Sequence, residues 1–276
     1  TGIVATPDNF GLSGSEPSHP ELLERLAEDF VKSGWSVKRL HRTILQSATY
    51  RQASALRDDA YEIDHENRLL WRFPTQRLSS EAIRDAMLTL SGELDSRLYG
   101  AYVPTTRQDD GSVTIGEDVP GARRRGLYLQ QRRTQVNTML ALFDTPVIVT
   151  NCAVRSTSTI PLQSLAMLNS EFVRTRAKVF AERLMSDASD PRTRIERAFR
   201  LATGHAASDI ELSAAERFLN DQKELYATAI AASAPQGDKK ASQQSLGTDA
   251  TLTGELRAWQ DFCQMLFAAN AFLYVD

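Results

Sequence analysis

Five arginines, Arg123, Arg124, Arg125, Arg132 and Arg133, flank the short apolar run Leu127-Tyr128-Leu129, and no acidic residue lies between Gly121 and Phe143. Guanidinium forks match carboxylates, sulfates and phosphates in a bidentate manner. The chemistry on offer is therefore anion binding, with an anionic glycan or the acidic surface of a partner protein as the ligand. The competing reading is ion pairing with the chain's own 35 acidic residues, together with solvated edge positions. In an extended strand alternate residues share a face, which would send Arg123 and Arg125 one way and Arg124 the other.

Other chemistries find less support. The four histidines are His19, His41, His65 and His205, with no i, i+4 pair and no H-E-x-x-H. His19 precedes a helix and is placed to help cap it, and His41 lies beside an apolar stripe and is expected to pack there. Asp64-His65-Glu66 would need ligands from other elements to hold a metal. Asp109, Asp110, Glu117 and Asp118 form an acidic loop around Gly111 and Gly116 that does not fit EF-hand spacing. No G-x-S-x-G, P-loop or G-x-G-x-x-G occurs, and spacing alone nominates no carboxylate pair for acid–base work. No catalytic residue and no metal ligand is assigned. Cys152 and Cys263 form neither C-x-x-C nor C-x-x-C-H, so covalent haem attachment and a Cys-rich zinc site are excluded within this chain. Both are expected as buried free thiols, a disulfide being the alternative if the protein is exported.

The elements that must carry these residues read as helices. Ser18 and Glu21 have capping-box spacing, with Pro20 in the first turn. Leu22, Leu23, Leu26, Phe30 and Val31 then recur at threes and fours. Gly34 stops this helix, Ser36 caps a second with Val37, Leu40, Ile44, Leu45 and Ala48 on one side, and Trp35 is expected to anchor the corner. Residues 1–17 read as an extended lead-in and 58–67 as a loop. Ser79 or Ser80 caps a helix whose buried side is Ile83, Met87, Leu90 and Leu94. Between 99 and 131 the glycines, prolines and short alternating runs at Ser112–Ile115 and Gly126–Gln130 predict a small β-ribbon or structured loop. Helices follow after Pro161, after Asn169-Ser170, at Asp190-Pro191 and at the Ser208–Glu211 capping box. Residues 231–250 read as a flexible linker, and a last helix from about Leu252 is too apolar to stand in water. The expected fold is mainly α: one multi-helix, orthogonal or bundle-like domain over 1–276, with the β-ribbon inserted around 99–131.

A composition of 42% hydrophobic and 24% charged residues is ordinary for a globular chain, and a net charge of -3 gives no nucleic-acid signature. No apolar run approaches the roughly 20 residues that span a bilayer. Thr1 is not an initiator Met and no signal-like stretch precedes Gly2, so the sequence reads as part of a longer polypeptide.

The run SHPELLERLAEDFVKSGWSVKRLHRTILQSATYRQAS, then ENRLLWRFPTQRLSSEAIRDAML, RRRGLYLQQRR, STSTIPLQSLAMLNSEFV, RIERAFRLATG and the closing FLYVD occur in an order that resembles the planctomycete domain of unknown function 1553 family. The resemblance implies the C-terminal portion of a large exported protein, at the periplasm or cell surface, behind a c-type cytochrome region and a companion domain. Haem c would belong to that upstream region, and no cofactor is expected in this chain. The family supplies no catalytic residue to carry over. The expected role is a non-catalytic scaffold or binding domain whose partners are other domains of the polypeptide, an anionic glycan or an acidic protein surface. The alternatives are a polysaccharide-active enzyme using an acidic pair, and a docking surface for a redox partner.

Overall fold

Pro20 decides where the first helix begins. Its fixed φ and missing amide hydrogen suit the first turn of α1 (Pro20–Lys32), which leaves His19 as the N-cap. The capping box expected from Ser18 and Glu21 therefore does not form. Ser18 Oγ donates to the Ile3 carbonyl at 3.3 Å and lies 2.9 Å from His19 Nδ1. Gly34 turns the chain with φ 75°, Trp35 follows in the same left-handed region with φ 61°, and Ser36 caps α2 (Val37–Gln46) by accepting from the Arg39 amide. Trp35 is no buried anchor: it is 67% exposed and meets Phe30 edge-on, 5.4 Å between ring centroids. The stretch expected as a loop opens with α3 (Asp58–Ile63), its two first-turn aspartates at the positive end of the helix.

The structure is a computed structural model that describes residues 2–9, 11–146, 152, 154–232 and 253–275. It divides into two units, Thr1–Arg77 with Asn151–Arg155 and Tyr274–Asp276, and Leu78–Thr150 with Ser156–Leu273. Within the first unit, Gln76–Arg77 pairs antiparallel with Tyr274–Val275, a short sheet that local pattern did not announce.

The second unit holds the large core. Ser79 caps α4 (Ser80–Ser91), and Gly92, with φ 78°, ends it in the left-handed conformation a glycine adopts without strain. A long loop then runs to Asn137. It contains an antiparallel pair, Thr106–Arg107 with Val113–Thr114, so the small β insertion is present. The second alternating run folds differently, as a 3-10 turn over Gly126–Tyr128 rather than a strand. Gly126 lies so close to α4 that a Cβ would come within 3.0 Å of Glu81 Cβ, and that approach bends the loop. Asn137 caps α5 (Thr138–Leu142). The remaining helices are α6 (Pro161–Asn169), α7 (Glu171–Asp187), α8 (Pro191–Thr203), α9 (Asp209–Ala232), α10 (Gly254–Ala268) and α11 (Asn270–Leu273). Asp190 caps α8 and Gly204 stops it; Ser208 and Glu211 form the capping box expected for α9. Of the stretch expected as a linker, Ala231 and Ala232 close α9 and the rest lies outside the described residues.

Helix α10 is the centre of this core. Trp259, Phe262, Cys263 and Phe267 are fully buried on it, against Phe180, Ala181 and Leu184 of α7 and Leu212, Ala215 and Leu219 of α9. Phe180 and Phe267 stack at 5.9 Å, and Trp259 meets Phe262 edge-on at 5.7 Å. Each such side chain contributes roughly 1.5–3 kcal/mol by leaving water. Gln264 Nε2 satisfies the Met167 and Leu168 carbonyls at 2.9 and 2.7 Å, acceptors that the end of α6 leaves without partners. Among the described residues no helix is long and apolar enough to cross a membrane. The fold is mainly α with small β insertions.

Candidate functional site

The arginine-rich loop is tied to α4 and α7 by a closed ring of four charges. Arg123 Nε pairs with Glu93 Oε1 at 2.9 Å and its Nη2 with Glu117 Oε2 at 3.2 Å. Arg176, on α7, completes the ring from the other side, with Nη1 on Glu93 Oε2 and Nη2 on Glu117 Oε2, both at 2.8 Å. Arg176 is 1% exposed. Glu93, just beyond the end of α4, is the more buried carboxylate, and Glu117 is nearly half in solvent. Glu93 holds Arg123 firmly in its charged form, raising it above the ordinary guanidinium value.

A second buried arginine secures the same loop through its backbone. Arg84, on α4, donates to the Arg124 carbonyl at 2.7 Å and the Ala122 carbonyl at 2.5 Å. Burial pulls it down to about 10, with Asp85 opposing the shift and Arg176 adding to it, so it stays charged at neutral pH. The ring of Phe172 lies 5.4 Å from the Arg84 guanidinium carbon and 5.5 Å from that of Arg176, a cation–π contact with each.

Arg124 points inward. It donates to the Ala101, Arg97 and Tyr99 carbonyls, at 2.9 Å and 3.3 Å for the first two, and its guanidinium sits 3.7 Å from the Tyr128 centroid. Arg125 pairs with Asp85 at 3.2 Å, and the other oxygen of that carboxylate accepts from the Gly126 amide at 2.6 Å. Three of the five arginines singled out by sequence are thus held by partners within this unit.

The loop carries one strongly shifted acid. Hydrogen bonds from the Arg97 side chain, then from its backbone amide, hold Asp95 down at about 2. Because the folded value lies below the ordinary 3.8, this stabilisation is complete above that pH and is lost as pH falls towards 2. Thermal denaturation should therefore show a steeper loss of stability across that window in the wild type than in Asp95→Asn. Parallel curves would show that the pair does not stabilise the fold.

Arg132 and Arg133 are exposed. Arg132 Nη1 donates to Gln135 Oε1 at 3.3 Å, a neutral partner that leaves its charge uncompensated. Among the described residues, neither arginine has a carboxylate partner. Close by in the chain, Thr134, Val136 and Thr138 line an open cleft of about 390 Å³ together with Arg107 and Asp144. Arg107 is exposed and unpaired among the described residues. Nothing in its local sequence sets it apart; it joins the site because the Thr106–Arg107 strand borders the cleft. At the other wall Asp144, in a left-handed conformation with φ 61°, accepts from the Ser158 amide and hydroxyl at 2.7 and 2.8 Å. Gln163 Nε2 braces this turn by donating to the Leu142 and Ser158 carbonyls at 2.9 and 3.2 Å.

The remaining candidates do not converge. His41 is exposed rather than packed, and the His65 and Tyr61 rings meet at a tilt of 58° with centroids 4.4 Å apart. The carboxylate of Asp64 is engaged by the Arg68 and Leu69 amides at 3.0 and 2.7 Å. Among the described residues no three His, Cys, Asp or Glu side chains form a metal-holding group. Cys263 is buried, which pushes its thiol well up, whereas Cys152 is exposed, contrary to its expected burial.

Compared with known proteins, the chain matches the family model PSD1, described as protein of unknown function (DUF1553), over residues 1–219. No curated protein and no solved structure matches it. The matched residues contain all five arginines, the cleft and every ordered motif from SHPELLERL to RIERAFRLATG. A match across so much of the 276 residues makes this chain a member of the DUF1553 family.

Proposed function

We propose that this DUF1553 domain is a non-catalytic binding module of an exported multidomain protein, and that it takes an anionic ligand at the cleft bordered by Arg107, with Arg132 and Arg133 beside it. The observation that carries the reading is the contrast in pairing. Arg123, Arg124 and Arg125 are neutralised or bonded internally, whereas Arg107, Arg132 and Arg133 are exposed without a carboxylate partner among the described residues. Exposed guanidiniums on and next in the chain to a cleft lined by Thr134 and Thr138 suit a sulfated or carboxylated glycan, or an acidic protein segment. The enzymatic alternative would call for two carboxylates facing one cleft. Among the described residues the lining supplies one, Asp144, and Ser158 already engages it.

The test is retention on heparin–agarose of the wild type and of Arg107→Ala/Arg132→Ala/Arg133→Ala, read as the salt needed for elution. The triple variant should bind about tenfold more weakly or worse and elute at lower salt. Unchanged retention would overturn the reading. An Arg124→Ala variant is unsuitable as the probe, because its guanidinium holds three loop carbonyls and its loss reports on folding.

A further inference from the structure

The cleft that Arg107 borders is chemically uneven, and the unevenness narrows what can fill it. Five of its ten lining residues are aliphatic: Val113, Val136, Ala141, Leu142 and Ile160. Ile160 is 37% exposed, and Val136 and Leu142 are half-buried, so a hydrocarbon group of a ligand laid on them would take apolar surface out of water. The charged lining is sparse and of mixed sign, with the Arg107 guanidinium at one wall and the Asp144 carboxylate at the other. Thr134 is exposed, and its hydroxyl makes no hydrogen bond among the described residues, which leaves it able to give or accept one from a peptide group. The volume, about 390 Å³, falls in the range of about 300–1,000 Å³ that ligand sites occupy.

These features separate the two ligands that suit the guanidiniums. A sulfated glycan carries anionic groups along its whole length. Seated in the cleft it would set one against Asp144, a like-charge contact that costs binding, and it has no hydrocarbon side chain to cover Val136, Leu142 and Ile160. An extended peptide places residues i and i+2 on one face, so an acid and an aliphatic side chain two residues apart reach the same cleft. The acid then meets Arg107, the aliphatic group covers the apolar floor, and no second charge is set against Asp144. A further acid on the Arg107 side extends towards the exposed Arg132 and Arg133, which are next in the chain to Thr134.

We propose that the cleft takes an extended acidic protein segment with an aliphatic residue two positions from an acid; the inference rests on the reading of the cleft as an anion site and names its ligand class. The test is fluorescence anisotropy of the full chain with three labelled probes: the end-blocked peptides Glu-Glu-Ser-Leu-Ser and Glu-Glu-Ser-Ser-Ser, of equal charge, and a heparin-derived tetrasaccharide. The leucine peptide should bind about tenfold more tightly than the serine peptide, a ratio that burying one leucine side chain supplies. Ile160→Ser should weaken the leucine peptide about fivefold and leave the serine peptide unchanged. Ile160 is the N-cap of α6, a position where serine is favoured, so the helix keeps its start. Val136→Ser is the second variant, expected to act in the same direction, with circular dichroism checking that each chain is folded. Arg107→Ala should weaken both peptides. Equal binding of the two peptides, with both still dependent on Arg107, overturns this inference and leaves the anion site standing. Tighter binding of the tetrasaccharide than of the leucine peptide, again through Arg107, assigns the cleft to a glycan and overturns it too. Arg107→Ala without effect on any probe overturns the anion site itself, and the inference with it.

Discussion

Replacing Arg176 by methionine is expected to destabilise the second unit, Leu78–Thr150 with Ser156–Leu273, by about 3 kcal/mol, the lower end of the range for breaking a buried ion pair from one side. Methionine fills much the same space, so the loss is chiefly electrostatic. Glu93, largely buried, would keep only Arg123, and Glu117 would lose its shortest contact. The value sits at the low end because Glu117 is half-exposed and water screens its share. Urea denaturation followed by Trp259 fluorescence, in a Trp35→Phe/Trp71→Phe background, reads this unit alone, since the chain has three tryptophans. Glu117→Gln should cost less than about 1 kcal/mol by the same screening. Arg176→Met combined with Glu93→Gln should recover part of the loss, because the second change removes the charge the first left stranded. Equal losses for Arg176→Met and Glu117→Gln would mean that the ring does not order the loop through Glu93.

Why the ring escaped the sequence is a matter of range. Helix positions are set by residues three or four apart, and there the chain is readable: Ser36, Ser79, Asp190 and Ser208 cap where spacing places them, although Gly92 ends α4 ahead of Leu94, which the apolar spacing puts on its buried side. The fates of the arginines are decided by partners that only the fold brings near. Glu93 lies 30 residues from Arg123, and Glu117 lies 59 from Arg176. The five-arginine cluster looks uniform because local pattern cannot see which members meet a carboxylate. Arg84 and Arg176, the two most buried, drew no notice because each sits in an ordinary helical stretch. Arg107 was equally silent, since the border of a cleft is a property of the hairpin's path. Local rules also fail where a stronger neighbour overrides them, as Pro20 does to the Ser18 cap and the close approach at Gly126 does to the expected strand. The amphipathic stripes of α1 and α2 were legible as stripes, but a stripe states only that something covers it.

Trp259 offers the other large effect, because the whole helical core is built against it. Its ring is fully buried on α10, edge-on to Phe262, with the Arg194 guanidinium carbon 5.7 Å from its centroid. Trp259→Ala removes a large buried side chain from a site fixed by α7, α8 and α9 and unable to collapse freely, and is expected to cost about 3–5 kcal/mol. Measured by circular dichroism in urea, this would make Trp259→Ala as damaging as Arg176→Met or more so. Trp259→Phe should be far milder, about 1–2 kcal/mol, for a particular reason. The indole Nε1 is buried and has no hydrogen-bond partner among the described residues, so the swap removes a donor that burial penalises while keeping most of the apolar contact. Phenylalanine also preserves the edge-on aromatic contact with Phe262, a pairing that contributes about 0.5–1.5 kcal/mol beyond area. If Trp259→Phe instead cost as much as Trp259→Ala, Nε1 would have to be making a bond that stabilises the core, and the α10 packing described above would be wrong at its centre.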